Sequence, residues 1–72
     1  MADFKDRLMV EHAELRDRTE KLSEFCADIE NSTKMDMHDW NILLVQKDIM
    51  VSYLGILESR MIKLGILPIE ED

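Results

Sequence analysis

The sequence predicts an all-α protein, a hairpin of two long antiparallel helices that assembles with copies of itself. Three observations carry that expectation. From Asp3 to about Ile29 apolar and small residues recur at helical spacing, with no glycine or proline. From Trp40 to Leu57 the run WNILLVQKDIMVSYLGIL contains just two charges, Lys47 and Asp48, and its apolar residues fall on every side of a helix. Such a helix must be covered all round. The chain has 72 residues and one other sizeable segment to cover it with, so the remaining apolar surface needs other copies or a partner.

The first helix is expected over residues 3–29. Its seam is Leu8, His12, Leu15, Thr19, Leu22, Cys26 and Ile29, in alternating steps of four and three, with Phe4 and Phe25 beside it. The opposite face carries Asp6, Arg7, Glu14, Asp17, Arg18, Lys21, Glu24 and Asp28. There Glu14–Arg18 and Asp17–Lys21 are i,i+4 pairs in the favourable order, a solvated face worth a few tenths of a kcal/mol per pair. Residues 30–35 read as the turn, through Asn31, Ser32 and Thr33. Either Thr33 or Asp36 is placed to cap the second helix, expected over residues 36–64. Gly65 suits the C-terminal cap, Lys63 suits the helix dipole, and Pro68 prevents continuation.

The second helix carries two stripes. Trp40, Leu43, Lys47, Met50, Leu54, Leu57, Met61 and Leu64 are assigned to the first helix; Ile42, Gln46, Ile49, Tyr53, Ile56 and Arg60 are assigned to neighbouring subunits. Spacing alone allows the two assignments to be exchanged. Trp40 and Tyr53 read as core anchors with their polar ends at the rim, and Lys47 as a stem lying along the core with its amine in water. Gly55 sits mid-helix, where it costs up to ~1 kcal/mol against alanine; close approach of another helix would explain it. The tail, residues 65–72, reads as an apolar segment (Ile66, Leu67, Ile69) lying along a neighbour, then an acidic end. The whole chain, residues 1–72, makes a single domain.

Composition narrows the function. Net charge is −7, from 16 Asp and Glu against 9 Lys and Arg. No long electrostatic footprint on DNA or RNA is expected from such a chain, although a few arginines can still hold a small anion in a local pocket. The start MADFKDRL has no apolar signal core, so secretion is not expected. The apolar run has spanning length, but Asn41, Gln46, Lys47, Asp48 and Ser52 make it a poor membrane segment. Cys26 is the lone cysteine, which rules out an internal disulfide and Cys-rich zinc patterns; it reads as a small buried residue of a reducing cytoplasm.

Few residues offer chemistry. His12, between Leu8 and Leu15, is either a partly buried seam imidazole or a flat ring offered to a base. His38 reads as exposed, and neither HxxxH nor HExxH is present, so no metal site or cofactor is expected. Two glycines cannot build a phosphate-cradling loop, and the carboxylates lie on the exposed face, so catalysis is not expected. Arg60 lies on the subunit stripe. It either pairs with a neighbour's carboxylate or helps to ring a symmetry axis with guanidinium groups, an arrangement that fits phosphate.

These residues also carry a family resemblance. Helix one reads Phe4-Lys5-Asp6-Arg7-Leu8, Glu11-His12-Ala13-Glu14-Leu15, Lys21-Leu22 and Phe25; helix two has Gln46, Met50, Tyr53, Leu57, Glu58 and Arg60 at helical spacing. The pattern, from Phe4 to Met61, resembles the anti-CBASS nucleotide sponges of tailed phages, also labelled crAss-phage-related small proteins. The resemblance implies a hexamer of helical hairpins in the cytoplasm of an infected bacterial host. It would sequester cyclic dinucleotides between neighbouring subunits and cyclic trinucleotides on a three-fold axis, breaking no bond. The implied nucleotide-binding positions are His12, Ala13, Lys34 and Arg60. His12 stands where the family has a base-stacking tyrosine, and Ala13 where it has an asparagine whose hydrogen bonds alanine cannot make. Ala27 stands where a lysine often follows, with Lys34 near enough to serve the same phosphate. Arg60 matches the family arginine. The rival reading from the residues is a structural or adaptor oligomer that docks a protein partner through the second stripe.

Overall fold

A computed structural model describes residues 3–66. Two long helices lie side by side in a hairpin 45 Å long, as the periodicity predicted. Helix α1 is Phe4–Ala27, and α2 is Met37–Lys63; the six-residue 3-10 helix Ile29–Lys34 joins them. The described residues include no strand.

Each boundary has a local cause. Asp3 caps α1 by accepting the Asp6 N–H (3.0 Å), which satisfies a donor the helix cannot. The first helix stops two residues before Ile29 because Asp28 turns extended and accepts the Glu30 N–H (3.0 Å), starting the 3-10 segment. Ile29 is thereby released from the seam and is 79% exposed. Asn31 anchors the turn. It is buried, donates from Nδ2 to the Phe25 carbonyl (2.9 Å) and accepts from Lys34 Nζ (3.3 Å). Of the two candidate caps for α2, Asp36 serves, accepting the Asp39 N–H at 2.8 Å. Thr33 instead donates to the Glu30 carbonyl (2.7 Å).

Gly65 ends α2 as expected. Its φ of 77° lies in the left-handed region that side chains disfavour. Gly65 N–H donates to the Ile62 carbonyl (3.0 Å) and Ile66 N–H to the Met61 carbonyl (2.8 Å), the paired bonds of a Schellman cap. Ile66 folds back onto the core cluster, supplying the apolar contact this cap favours. Pro68, Leu67, Ile69 and the acidic end lie outside the described residues.

The assignment of the first α2 stripe to the hairpin's own interior holds, while the second stripe faces outward. Every member of the first stripe is buried or half-buried, and every member of the second is exposed. The core is small: Leu8, Leu57 and Met61 are fully buried, with Leu15, Leu64 and Ile66 packed against them. In the α1 seam, Thr19 is accommodated because its hydroxyl donates to the Leu15 carbonyl (2.6 Å). Phe25 and Trp40 meet near the turn, ring centroids 6.3 Å apart. Lys47 lies half-buried along the core, its amine 3.6 Å from Asp48.

A compact monomer of this mass exposes about 4,700 Å² by the usual scaling; this chain exposes 5689 Å². Exposed large apolar residues include Val10, Ile42, Val45, Ile49, Val51, Tyr53, Ile56 and Ile62. Among the described residues nothing lies within 4 Å of where a Gly55 Cβ would stand, so none of them makes the close approach expected there.

Candidate functional site

The sequence-derived site residues fall in three places. Ala13 is exposed on α1. Lys34 sits in the turn, its amine on Asn31. His12 and Arg60 lie at the opposite end. Along α2, Arg60 is about 35 Å from the turn at 1.5 Å per residue. One chain therefore cannot bring Lys34 and Arg60 to one ligand.

His12 occupies the seam and is 4% exposed. Its Nε2 lies 2.8 Å from Glu58 Oε2, linking the two helices. Burying an imidazole is costly unless a ring nitrogen is paired, and Glu58 supplies the partner. With the helices closed, the ring offers no open face to a base, so the seam reading describes its state in the single hairpin. His38 is exposed, as expected. Among the described residues no group of three or more His, Cys, Asp or Glu side chains is arranged to hold a metal ion.

Beside this pair is a surface cluster. Tyr53, expected as a core anchor, is instead 42% exposed. It stands on the outward stripe of α2, and its hydroxyl donates to Glu11 Oε1 across the hairpin. That hydrogen bond to a carboxylate raises the Tyr53 pKa above its ordinary value; partial desolvation and the Glu11 charge add to the rise, and the Arg60 cation opposes it. Arg60 itself is exposed, and its guanidinium has no hydrogen-bond or ion-pair partner among the described residues. The cluster thus sets a half-exposed aromatic ring, an unpaired guanidinium and the apolar Ile56 on one face. Rings stack on bases and guanidinium forks match phosphate oxygens. Tyr53 was detectable in the sequence, seven residues before Arg60 on one stripe, but an aromatic at helical spacing reads first as core.

On α1, the expected pairs form: Glu14–Arg18 at 3.9 Å and Asp17–Lys21 at 2.9 Å, with Arg16–Glu20 at 3.2 Å. Asp17 raises the Lys21 pKa through that contact. Exposed pairs like these add little stability. No helix among the described residues is long and apolar enough to cross a membrane.

The class defined by this fold is a two-helix hairpin, and among the described residues its outward face carries Tyr53, Ile56 and Arg60 exposed together. A family model described as Sequestin matches residues 2–63, and the chain belongs to that family. The name points to sequestration, holding a ligand instead of converting it. No curated protein and no solved structure matches the chain.

Proposed function

We propose that this protein is a non-enzymatic sponge of phage origin, acting in the cytoplasm of the infected bacterial host. As a homo-oligomer, a hexamer on the resemblance to nucleotide sponges, it sequesters cyclic di- or trinucleotide messengers at its subunit interfaces. Host immune signalling is thereby deprived of its messenger. One observation carries the reading: membership of a sequestering family coincides with an exposed arginine, without a partner among the described residues, beside an exposed aromatic on an apolar face.

In this reading Arg60 holds phosphate and Tyr53 supplies a stacking surface. Lys34 reaches the ligand from a neighbouring chain. His12 acts through Glu58, fixing how the two helices meet beneath the cluster, and Ala13 leaves room where a polar side chain would contact the ligand. Isothermal titration against a panel of cyclic di- and trinucleotides tests it. Saturable heat with at least one of them, lost in Arg60→Ala while the protein keeps its mass and helicity, is the expected result. Absence of heat with every ligand, from folded protein, would remove the nucleotide. The adaptor reading would then stand, and a stoichiometric protein copurifying with the chain would support it.

A further inference from the structure

We infer that the buried His12–Glu58 bond selects one alignment of the hairpin over alignments displaced by a heptad, which the leucine seam alone would accept. The two helices repeat with the same period. Leu8, Leu15 and Leu22 stand seven apart on α1, as do Leu43, Met50, Leu57 and Leu64 on α2. Seven residues bring a helix back to within about 20° of its starting phase. Sliding one helix along the other by that step, about 10 Å, therefore keeps apolar residues on apolar residues. Leu8, which clusters with Leu57 and Met61, would meet Met50 and Leu54 in one direction and Leu64 in the other.

The turn does not forbid such a slide. It would move the midpoint of the hairpin by half that step, still within the stretch between Ala27 and Met37. Three polar residues are buried among the described ones: His12, Thr19 and Asn31. Thr19 bonds the Leu15 carbonyl of its own helix, and Asn31 the nearby Phe25 carbonyl. Neither bond registers which part of α2 lies opposite. His12 is different. At 4% exposure, its Nε2 reaches Glu58 Oε2, 2.8 Å away and 46 residues along the chain.

A displaced alignment takes Glu58 away from the imidazole. Seven residues toward the turn its place is held by Val51, and seven residues away from it by Gly65. Neither offers a side-chain donor or acceptor, so the ring would be buried without its partner, a cost the native alignment avoids. The other bond across the hairpin, from Tyr53 to Glu11, does not discriminate. In the displaced alignments Glu11 would meet Gln46 or Arg60, each able to donate to a carboxylate. A single polar position in an apolar seam fixes register in coiled coils by the same logic. This role belongs to the hairpin itself and holds whatever ligand the chain takes.

Nitroxide labels at Arg7→Cys and Asp48→Cys, in a Cys26→Ser background, test the inference on the full chain by pulsed electron double resonance. Both sites are exposed, and an excess of unlabelled chain restricts the reading to distances within one molecule. The parent should give one distance. His12→Leu should keep its helicity by circular dichroism yet show a second distance, from an axial displacement of about 10 Å. Glu58→Leu, which alters the half-buried partner, should do the same. Glu58→Gln still accepts from the imidazole and should keep the single distance, as should Tyr53→Phe. One unchanged distance in folded His12→Leu or Glu58→Leu would overturn the inference. Loss of folding in His12→Leu would overturn it too, because the imidazole would then be needed to build the hairpin, not to align it. A second distance in Glu58→Gln or Tyr53→Phe would overturn the assignment to the His12–Glu58 bond.

Discussion

Removing three carbons at two positions on α2 separates the hairpin's own stability from that of its assembly. Leu57 is 0% exposed and central to a core with three fully buried apolar side chains. Leu57→Ala should cost 2–5 kcal/mol, transfer and cavity terms together. Domains of this size hold ~4–10 kcal/mol in total, so that loss is a large part of the whole. Ile49→Ala makes a comparable deletion on the other side of the same helix, where the side chain is 63% exposed. In an isolated hairpin it should fall within about 0.5 kcal/mol of neutral, helped by alanine's better helix propensity. In an assembly that buries the stripe, it should cost about 1–2 kcal/mol per copy. The wild-type midpoint should then rise with protein concentration, by mass action. Urea unfolding followed by circular dichroism at 2 and 200 µM, about a hundredfold apart, reads both effects. A midpoint independent of concentration, with Ile49→Ala neutral throughout, would show that the chain is stable as a monomer, and the assembly argument would fall.

Further outcomes follow from single contacts. Asp36→Ala removes the acceptor for the Asp39 N–H and should lower stability by about 1 kcal/mol, read by the same urea unfolding; no change would mean another group caps α2. Asn31→Ala strips a buried bridge between the Phe25 carbonyl and Lys34 and should cost roughly 1–3 kcal/mol, with faster amide exchange through the turn. The Tyr53 phenol should titrate above the ordinary tyrosine range by ultraviolet absorbance, and Glu11→Gln should bring it back down. Because the folded pKa is the raised one, the Tyr53–Glu11 contact stabilises fully below the ordinary value of 10.0 and is lost as pH climbs through the folded value. Stability that rose with pH across that alkaline window would contradict the sign.

Periodicity made most of the fold legible. Steps of three and four placed the α1 seam and both stripes of α2, because burial in a hairpin follows helical phase and nothing else. The ends were legible where a residue has a specific backbone demand, as Gly65 does at positive φ and Asp36 does as an acceptor. The turn was less so. That Asp28 would end α1 and that Asn31 would face inward depends on carbonyls the helix leaves free at Phe25, which a linear pattern does not reveal. The site was harder still. His12 could be read as a ring for a ligand until Glu58, 46 residues away, proved to lie 2.8 Å from it. The role of Tyr53 depends on Glu11 across the hairpin and on whether a second copy covers its stripe.

Gly55 offers the sharpest remaining argument, because the hairpin gives it no reason to exist. Among the described residues nothing lies within 4 Å of its absent Cβ, and its phase points away both from α1 and from the outward stripe of Ile42, Ile49 and Ile56. Val51 and Ile62, both exposed, share that third side of α2. In the proposed oligomer, a helix covered by α1 on one side and by a second copy on another would need a third contact to bury this side. A glycine is what allows a helix backbone to approach closely there. Gly55→Ala divides the possibilities cleanly. If this side is open to water, alanine should stabilise the chain by about 0.5–1 kcal/mol through helix propensity. If another helix crosses here, the added methyl should lower the subunit count seen by native mass spectrometry. A stabilised protein of unchanged mass would show that no other helix crosses at this position.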